Sequence, residues 1–218
     1  VSLYRRVVVP ALVDLLMSGD RFSRLRAKLL APVSGEVLEI GFGTGLNLPF
    51  YTRAVGRVTA VDRNPGMSKR GASRIAQSGV DVRHVVADGA ALSFDDDTFD
   101  AVVTTWTLCS IRQVESALAE IRRVLRGSGT YVFVEHGASP DPGVRKWQDR
   151  LTPIERRIAD GCHLNREIES LVRTAGFGNV AIDRFYMDGL PRVAGYTYFG
   201  SAAAARGPDT RPPDAMMR

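Results

Sequence analysis

A chain of 218 residues with 44% hydrophobic and 24% charged side chains has the composition of one α/β domain large enough to bury a full core. No apolar run reaches the roughly 18 residues of a membrane span, and Pro10 and Asp14 interrupt the most apolar N-terminal stretch, "VVVPALVDLLM". The net charge of +5 rests on 29 basic residues, nearly all Arg and never more than two in a row, so it makes no case for a nucleic-acid partner.

In chain order, residues 1–30 read as amphipathic helices forming a lid segment, which leaves 31–204 as the main domain. "EVLEIG" (Glu36–Gly41) reads as a strand, followed by a helix after Thr44 and a second strand, "RVTAVD" (Arg57–Asp62). Pro65 opens and Gly79 ends a further helix. Strands follow at Val80–Asp88, Phe99–Trp106 and Thr130–His136. Between the last two, Val114, Leu118, Ile121 and Leu125 share one helical face, with Gly127 expected at the C′ position. A helical region from Val144 to Thr174 is broken near "DGCHLN", and two strand-like runs, "NVAIDRFYM" and "GYTYFGSA", are too close for a helical crossover. The expected fold is α/β: a Rossmann-like, seven-stranded, mostly parallel sheet with a C-terminal antiparallel hairpin and helices on both faces. The Pro- and Arg-rich residues 205–218 are expected to form an unstructured tail.

The turn "EIGFGTG" places Gly41, Gly43 and Gly45 behind the first strand, a spacing that suits close approach of a ligand to the backbone. It is not the G-x-G-x-x-G of dinucleotide folds, because the third glycine comes one residue early. With Glu39 ahead of it, the pattern E-x-G-x-G-T-G resembles that of class I S-adenosylmethionine-dependent methyltransferases, and the resemblance continues along most of the chain. It implies S-adenosylmethionine as cofactor, held by Glu39, Gly41, Phe42, Gly43, Thr44, Gly45 and Asn47. Asp62, flanked by Arg63 and Asn64, ends the second strand where a carboxylate can accept both ribose hydroxyls. By the same resemblance Asp88, Gly89 and Ala90 lie near the adenine, and Thr104, Thr105, Trp106 and Leu108 near the sulfonium.

The segments "GLNLPFY", "TWTLCSI", "VEH", "DGCHLNRE" and "GYTYFG" are similar, in the same order, to the alkyl thiol S-methyltransferases called methyltransferase-like seven proteins and their bacterial relatives. That likeness implies a small, hydrophobic acceptor, with thiol ahead of a quinone, phenol or lipid-precursor oxygen, carbon or nitrogen. Those eukaryotic relatives are membrane-associated through an apolar N-terminal segment, where this chain is Arg-rich instead; a cytoplasmic protein, at most peripheral to a membrane, is expected. His136, at the end of the fifth strand, and His163 are the candidate catalytic residues, with Arg166 beside His163 on the acceptor wall and Asn165 a candidate helix cap. Cys109 reads as a small packing residue, and Cys162 has no assigned role. The two cysteines form no disulfide framework, and their spacing from His84, His136 and His163 matches no ligand pattern, so no metal is expected. Two rivals are an RNA methyltransferase and a cofactor-binding protein without turnover. "TTWT" stands where base-amine methyltransferases carry Asp/Asn-Pro-Pro-aromatic, and neither cysteine follows a proline.

Overall fold

The computed structural model describes residues 9–159 and 161–205; the tail expected over 205–218 falls, from residue 206 on, outside them. Two helices, α1 (Val9–Met17) and α2 (Asp20–Leu30), lead into a seven-stranded sheet. Its strands are β1 (Gly35–Ile40), β2 (Val55–Asp62), β3 (Val82–Val86), β4 (Phe99–Thr105), β5 (Leu125–His136), β6 (Val180–Tyr186) and β7 (Tyr196–Ala203). They lie in the order β3-β2-β1-β4-β5-β7-β6. The first five pair in parallel, while β7 runs antiparallel to both β5 and β6. The fold is the Rossmann-like α/β sheet expected, with its C-terminal hairpin.

The central strands read as unbroken apolar runs because helices cover both faces. Leu38, Ile40 and Val102 join Leu118 and Ile121 of α4 (Val114–Val124) and Ile168 and Val172 of α6 (Ile168–Thr174) in one cluster. Val37, Val58, Ala101 and Val103 pack on the other face with Leu29 and Leu30 of α2 and with Phe42. The buried face of α4 is the one expected from Val114, Leu118 and Ile121. Leu125 and Gly127 belong to β5 instead of closing α4. The burial of Leu125 and its pairing with Phe99 draw the chain into the sheet one residue after the helix.

Two local expectations are corrected. The helix after Thr44 is a single 3-10 turn, Leu48–Phe50, because Gly45 adopts φ +78° and Pro49 removes a donor. Asn165 does not cap α6; it donates to Asp149 (2.8 Å) and accepts from Thr152, tying the loop to helix α5 (Pro142–Ile158). Asp141 caps α5 by accepting from Gly143 and Val144, with Pro142 in the first turn. Fully buried Gln148 of α5 accepts from Ser139 N–H and donates to the Gly137 and Val193 carbonyls. Helix α5 is thereby fixed to the end of β5 and to the one-turn helix α7 (Arg192–Gly195) that precedes β7. The remaining helix, α3 (Pro65–Ser78), follows β2 as expected. Tyr196 and Tyr198 share a face, their rings 5.4 Å apart. Among the described residues, no helix is long and apolar enough to cross a membrane.

Candidate functional site

A cavity of about 500 Å³ opens at the carboxyl ends of β1, β2, β4 and β5, the edge where open α/β sheets bind ligands. Leu16 and Met17 of α1 and Phe22 and Arg26 of α2 wall its upper side. Asp14 holds α1 down by accepting from Thr44 Oγ1 (2.5 Å) and from Arg74 (3.0 Å), while Arg74 also donates to the Thr44 carbonyl.

The glycine turn forms one end. Gly41, Gly43 and Gly45 all have positive φ, which β-carbon-bearing residues rarely adopt. Their surroundings differ. A Cβ at Gly41 would collide with the Thr107 side chain at 2.1 Å, and one at Gly45 would press on Phe42 and Leu48 at 3.1 Å. At Gly43 it would meet nothing closer than 3.8 Å. Packing therefore excludes a side chain at Gly41 and crowds one at Gly45, whereas the space at Gly43 is open. Gly45, set behind Phe42, is off the cavity wall, whereas Gly41, Phe42, Gly43 and Thr44 are on it.

Glu39 is fully buried, yet lines the cavity and accepts from Asn47 Nδ2 (2.9 Å) and Tyr51 OH (2.7 Å). Burial pushes its pKa up to about 7 against the pull of these donors. Asp62 accepts from Gly43 N–H (2.8 Å) and Asn64 N–H (2.7 Å), so its carboxylate also shapes the turn. Asp62, Arg63, Asp88 and Gly89 line the cavity; Asn64 is buried behind Asp62, and Ala90 lies off the wall, its N–H bonded to Asp88.

At the end of β4, Thr105 and Trp106 are on the wall, but Thr104 and Leu108 are not. Thr104 is fully buried on Tyr131 OH (2.8 Å), and Leu108 packs into the core. Trp106 has φ +50°, a conformation that costs a non-glycine residue about 1–3 kcal/mol. Its ring is held by an edge contact from Phe22 (5.1 Å) and by the Arg26 guanidinium 5.0 Å above it. The sequence gives Phe22 and Arg26 no individual role, since nothing local marks which residues of α2 point inward.

The other end carries sulfur and imidazole. His136 Nε2 lies 3.1 Å from Cys162 Sγ, and the donor atoms of Cys109, His136 and Cys162 are all within 4.8 Å of one another. All three residues line the cavity, together with Ile111, Ile158, Leu164, Met187 and Leu190. The Cys162 thiol bonded to its sulfur holds Cys109 well below the ordinary thiol range, and the same contact with burial raises Cys162. Burial pulls His136 down, but the Cys109 sulfur and the Glu135 carboxylate outweigh it and leave the pKa raised. The fold brings these three together, which their spacing in the sequence does not report.

His163 does not reach the cavity wall. Its N–H donates to the Cys109 carbonyl (2.9 Å), toward which Nδ1 also points at 3.1 Å. Arg166 likewise donates to the Leu108 and Ile111 carbonyls. These two residues brace the loop after α5 against the loop after β4; they do not form the acceptor wall.

A sequence profile described as a methyltransferase domain matches residues 38–133. Thiol S-methyltransferase TMT1B of Homo sapiens is 37% identical over 175 residues, which cover 76% of this chain and 69% of that relative. Demethylmenaquinone methyltransferase of Clavibacter sepedonicus is 37% identical over 138 residues, 62% of this chain and 56% of its own. Among solved structures, a chain from the complex of the Haloferax volcanii Trm112 methyltransferase activator with its methyltransferase gives a TM-score of 0.70 at 19% identity. That match covers 92% of this chain and 96% of the other, and at this identity it is a likeness of fold.

Proposed function

Since the chain belongs to the class I S-adenosylmethionine-dependent methyltransferases, we propose that it methylates the sulfur of a small, hydrophobic thiol. The reading is carried by the part of the cavity that holds the Cys109–His136–Cys162 cluster, where Ile158, Leu164, Met187 and Leu190 also line the wall beside the polar Ser110, Glu155 and Thr197. The thiol relative also matches 76% of the chain, against 62% and 69% for two quinone methyltransferases.

The residues present fit the cofactor. Arg26 Nε and Asn47 Oδ1 are buried on cavity-lining residues without a hydrogen-bond partner, so a ligand with carboxylate and ammonium groups would complete them. Glu39, Gly41, Phe42, Gly43, Thr44, Asn47, Asp62, Arg63, Asp88, Gly89, Thr105 and Trp106 are the residues we assign to hold it, with Arg26 added. When bound, S-adenosylmethionine supplies a methyl group on a sulfonium, open to in-line displacement.

The protein's task is then proximity and exclusion of water. Trp106, Phe22 and Arg26 pack together on the cavity wall, and the apolar side chains of Leu164, Met187 and Leu190 hold the acceptor's carbon chain. His136, which lines the cavity 3.1 Å from Cys162 Sγ, is the base we assign to take the acceptor's proton. Methyl transfer therefore rises with pH through the His136 pKa, above the ordinary imidazole value of 6.5.

The test is a methyl-transfer assay of the purified protein with a panel of alkyl thiols, phenols and demethylated quinols. Thioether formation from alkyl thiols at the highest kcat/KM is expected. Turnover confined to a quinol would assign the site to carbon methylation, and turnover of none would end the thiol reading.

A further inference from the structure

Cys109, His136 and Cys162 come from three separate segments: the loop after β4, the last residue of β5 and the loop after α5. The three segments are anchored to one another. His163 and Arg166 clamp the last loop to the carbonyls of Leu108, Cys109 and Ile111, and Gln148 fixes α5 to the end of β5. Gly161 makes the turn into Cys162 with φ +95°, close beneath the Ser110 carbonyl. Two sulfurs and one imidazole nitrogen are thus held within 4.8 Å of one another, with all three side chains facing the cavity that receives the acceptor.

We propose that this Cys109–His136–Cys162 cluster binds a zinc ion whose fourth position opens into the cavity and takes the acceptor thiol as a thiolate. Zinc binds cysteine sulfur at about 2.3 Å and histidine nitrogen at about 2.0–2.1 Å, which spaces tetrahedral ligand atoms about 3.5–3.8 Å apart. The 3.1 Å contact between Cys162 and His136 and the 4.8 Å limit of the cluster bracket that spacing. Three protein ligands with one open position is the arrangement of catalytic zinc sites; closed structural sites use four. Soft sulfur ligands also favour zinc over the hard cations.

The chemistry closes. Cys109 and Cys162 lose their protons on binding the metal, giving a site with no net charge when His136 is neutral. An incoming thiol loses its proton to solvent as its sulfur bonds the zinc. A lone pair of that sulfur then forms the new bond to the methyl carbon, while the carbon–sulfonium bond breaks and its electron pair stays with the departing thioether. The product thioether is a neutral, weaker ligand and leaves. In the loaded protein His136 is a ligand, and coordination replaces it as the means of deprotonating the acceptor.

The acceptor's place at the metal rests on the thiol reading above; metal binding itself does not. Purified protein, freed of metal with a chelator under reductant, is titrated with cobalt(II) as a spectroscopic probe and then with zinc. Expected is about one cobalt per chain with a thiolate charge-transfer absorption, displaced by zinc. Affinity falls more than about tenfold in Cys109→Ser, Cys162→Ser and His136→Asn. Adenosylhomocysteine binding by each variant reports whether it is folded. Addition of an alkyl thiol shifts the ligand-field bands of the cobalt protein. Uptake well below one equivalent, or an absorption unchanged in the folded cysteine variants, would overturn the site. Metal binding without any response to thiol would remove the acceptor from it. Methyl transfer to thiols at full rate by the metal-free protein would sink the zinc role and leave the methyltransferase reading intact. Failure of all thiol turnover with the metal bound would sink the thiol reading alone.

Discussion

Glu39 is a carboxyl group held without solvent, one face on Tyr51 and Asn47 and the other on the cavity. Its pKa of about 7 means that the folded protein carries a proton there that the unfolded chain, near the ordinary 4.5, gives up. The stability this contributes is fully present below pH 4.5 and is lost as pH rises through about 7. A ligand bearing sulfonium and ammonium cations favours the ionised carboxylate, so cofactor binding should expel this proton. Affinity for S-adenosylmethionine should rise from pH 5.5 to about 7 and then level, with proton release seen by calorimetry in two buffers of different ionisation heat. Glu39→Gln should flatten the profile; equal wild-type affinity across that range would refute the linkage. Asp62 acts differently, since it shapes the turn through Gly43 and Asn64 as well as facing the cavity. Asp62→Ala should weaken adenosylhomocysteine binding by about 10- to 100-fold, the worth of one or two charge-assisted hydrogen bonds. A loss under twofold by calorimetric titration would remove it from the cofactor site.

Elements differ in how openly the sequence declares them. The strands and α4 were legible because one periodicity and one buried face fix each of them, as with Val114, Leu118 and Ile121. The turn after Gly45 and the boundary between α4 and β5 were not, since both depend on what the sheet does with Pro49 and Leu125. The hold of α1 on the site was also hidden. It depends on Asp14, which in sequence only interrupts an apolar run and in the fold bonds Thr44 and Arg74. That contact makes a prediction at the scale of the helix. Asp14→Ala removes a charged acceptor from two donors, a change of about 1.5–3 kcal/mol, and should free α1 from the glycine turn. Cofactor affinity should drop about tenfold and protease cleavage within α1 should accelerate, while the thermal midpoint of the sheet core changes little. A variant with unaltered cleavage and affinity would show that α1 is held by its apolar contacts alone.

Across the whole molecule, the cofactor end of the cavity could be read from short motifs, each at the end of one strand, but the end we assign to the acceptor is assembled from β4, β5, α5 and the stretch leading into β7. No sequence spacing reports that Cys109 and Cys162 meet at His136, because the sheet order and the length of α5 decide it together. On the thiol reading, the same assembly limits which acceptors fit. The wall that carries the sulfur cluster also carries Leu164, Met187 and Leu190, and the cavity lining includes Leu16 and Ile158, both more than half exposed. Each methylene buried along that wall is worth about 0.8 kcal/mol, or about fourfold in kcat/KM. For straight-chain thiols of increasing length, kcat/KM should climb by about that factor per carbon and then level once the chain passes Leu16 and Ile158. Substituting an apolar residue of that wall, Leu190→Ala, should reduce the climb for long thiols and leave the shortest ones nearly unchanged. A flat series would mean that the carbon chain stays in solvent, and the acceptor would then be recognised by its head group alone.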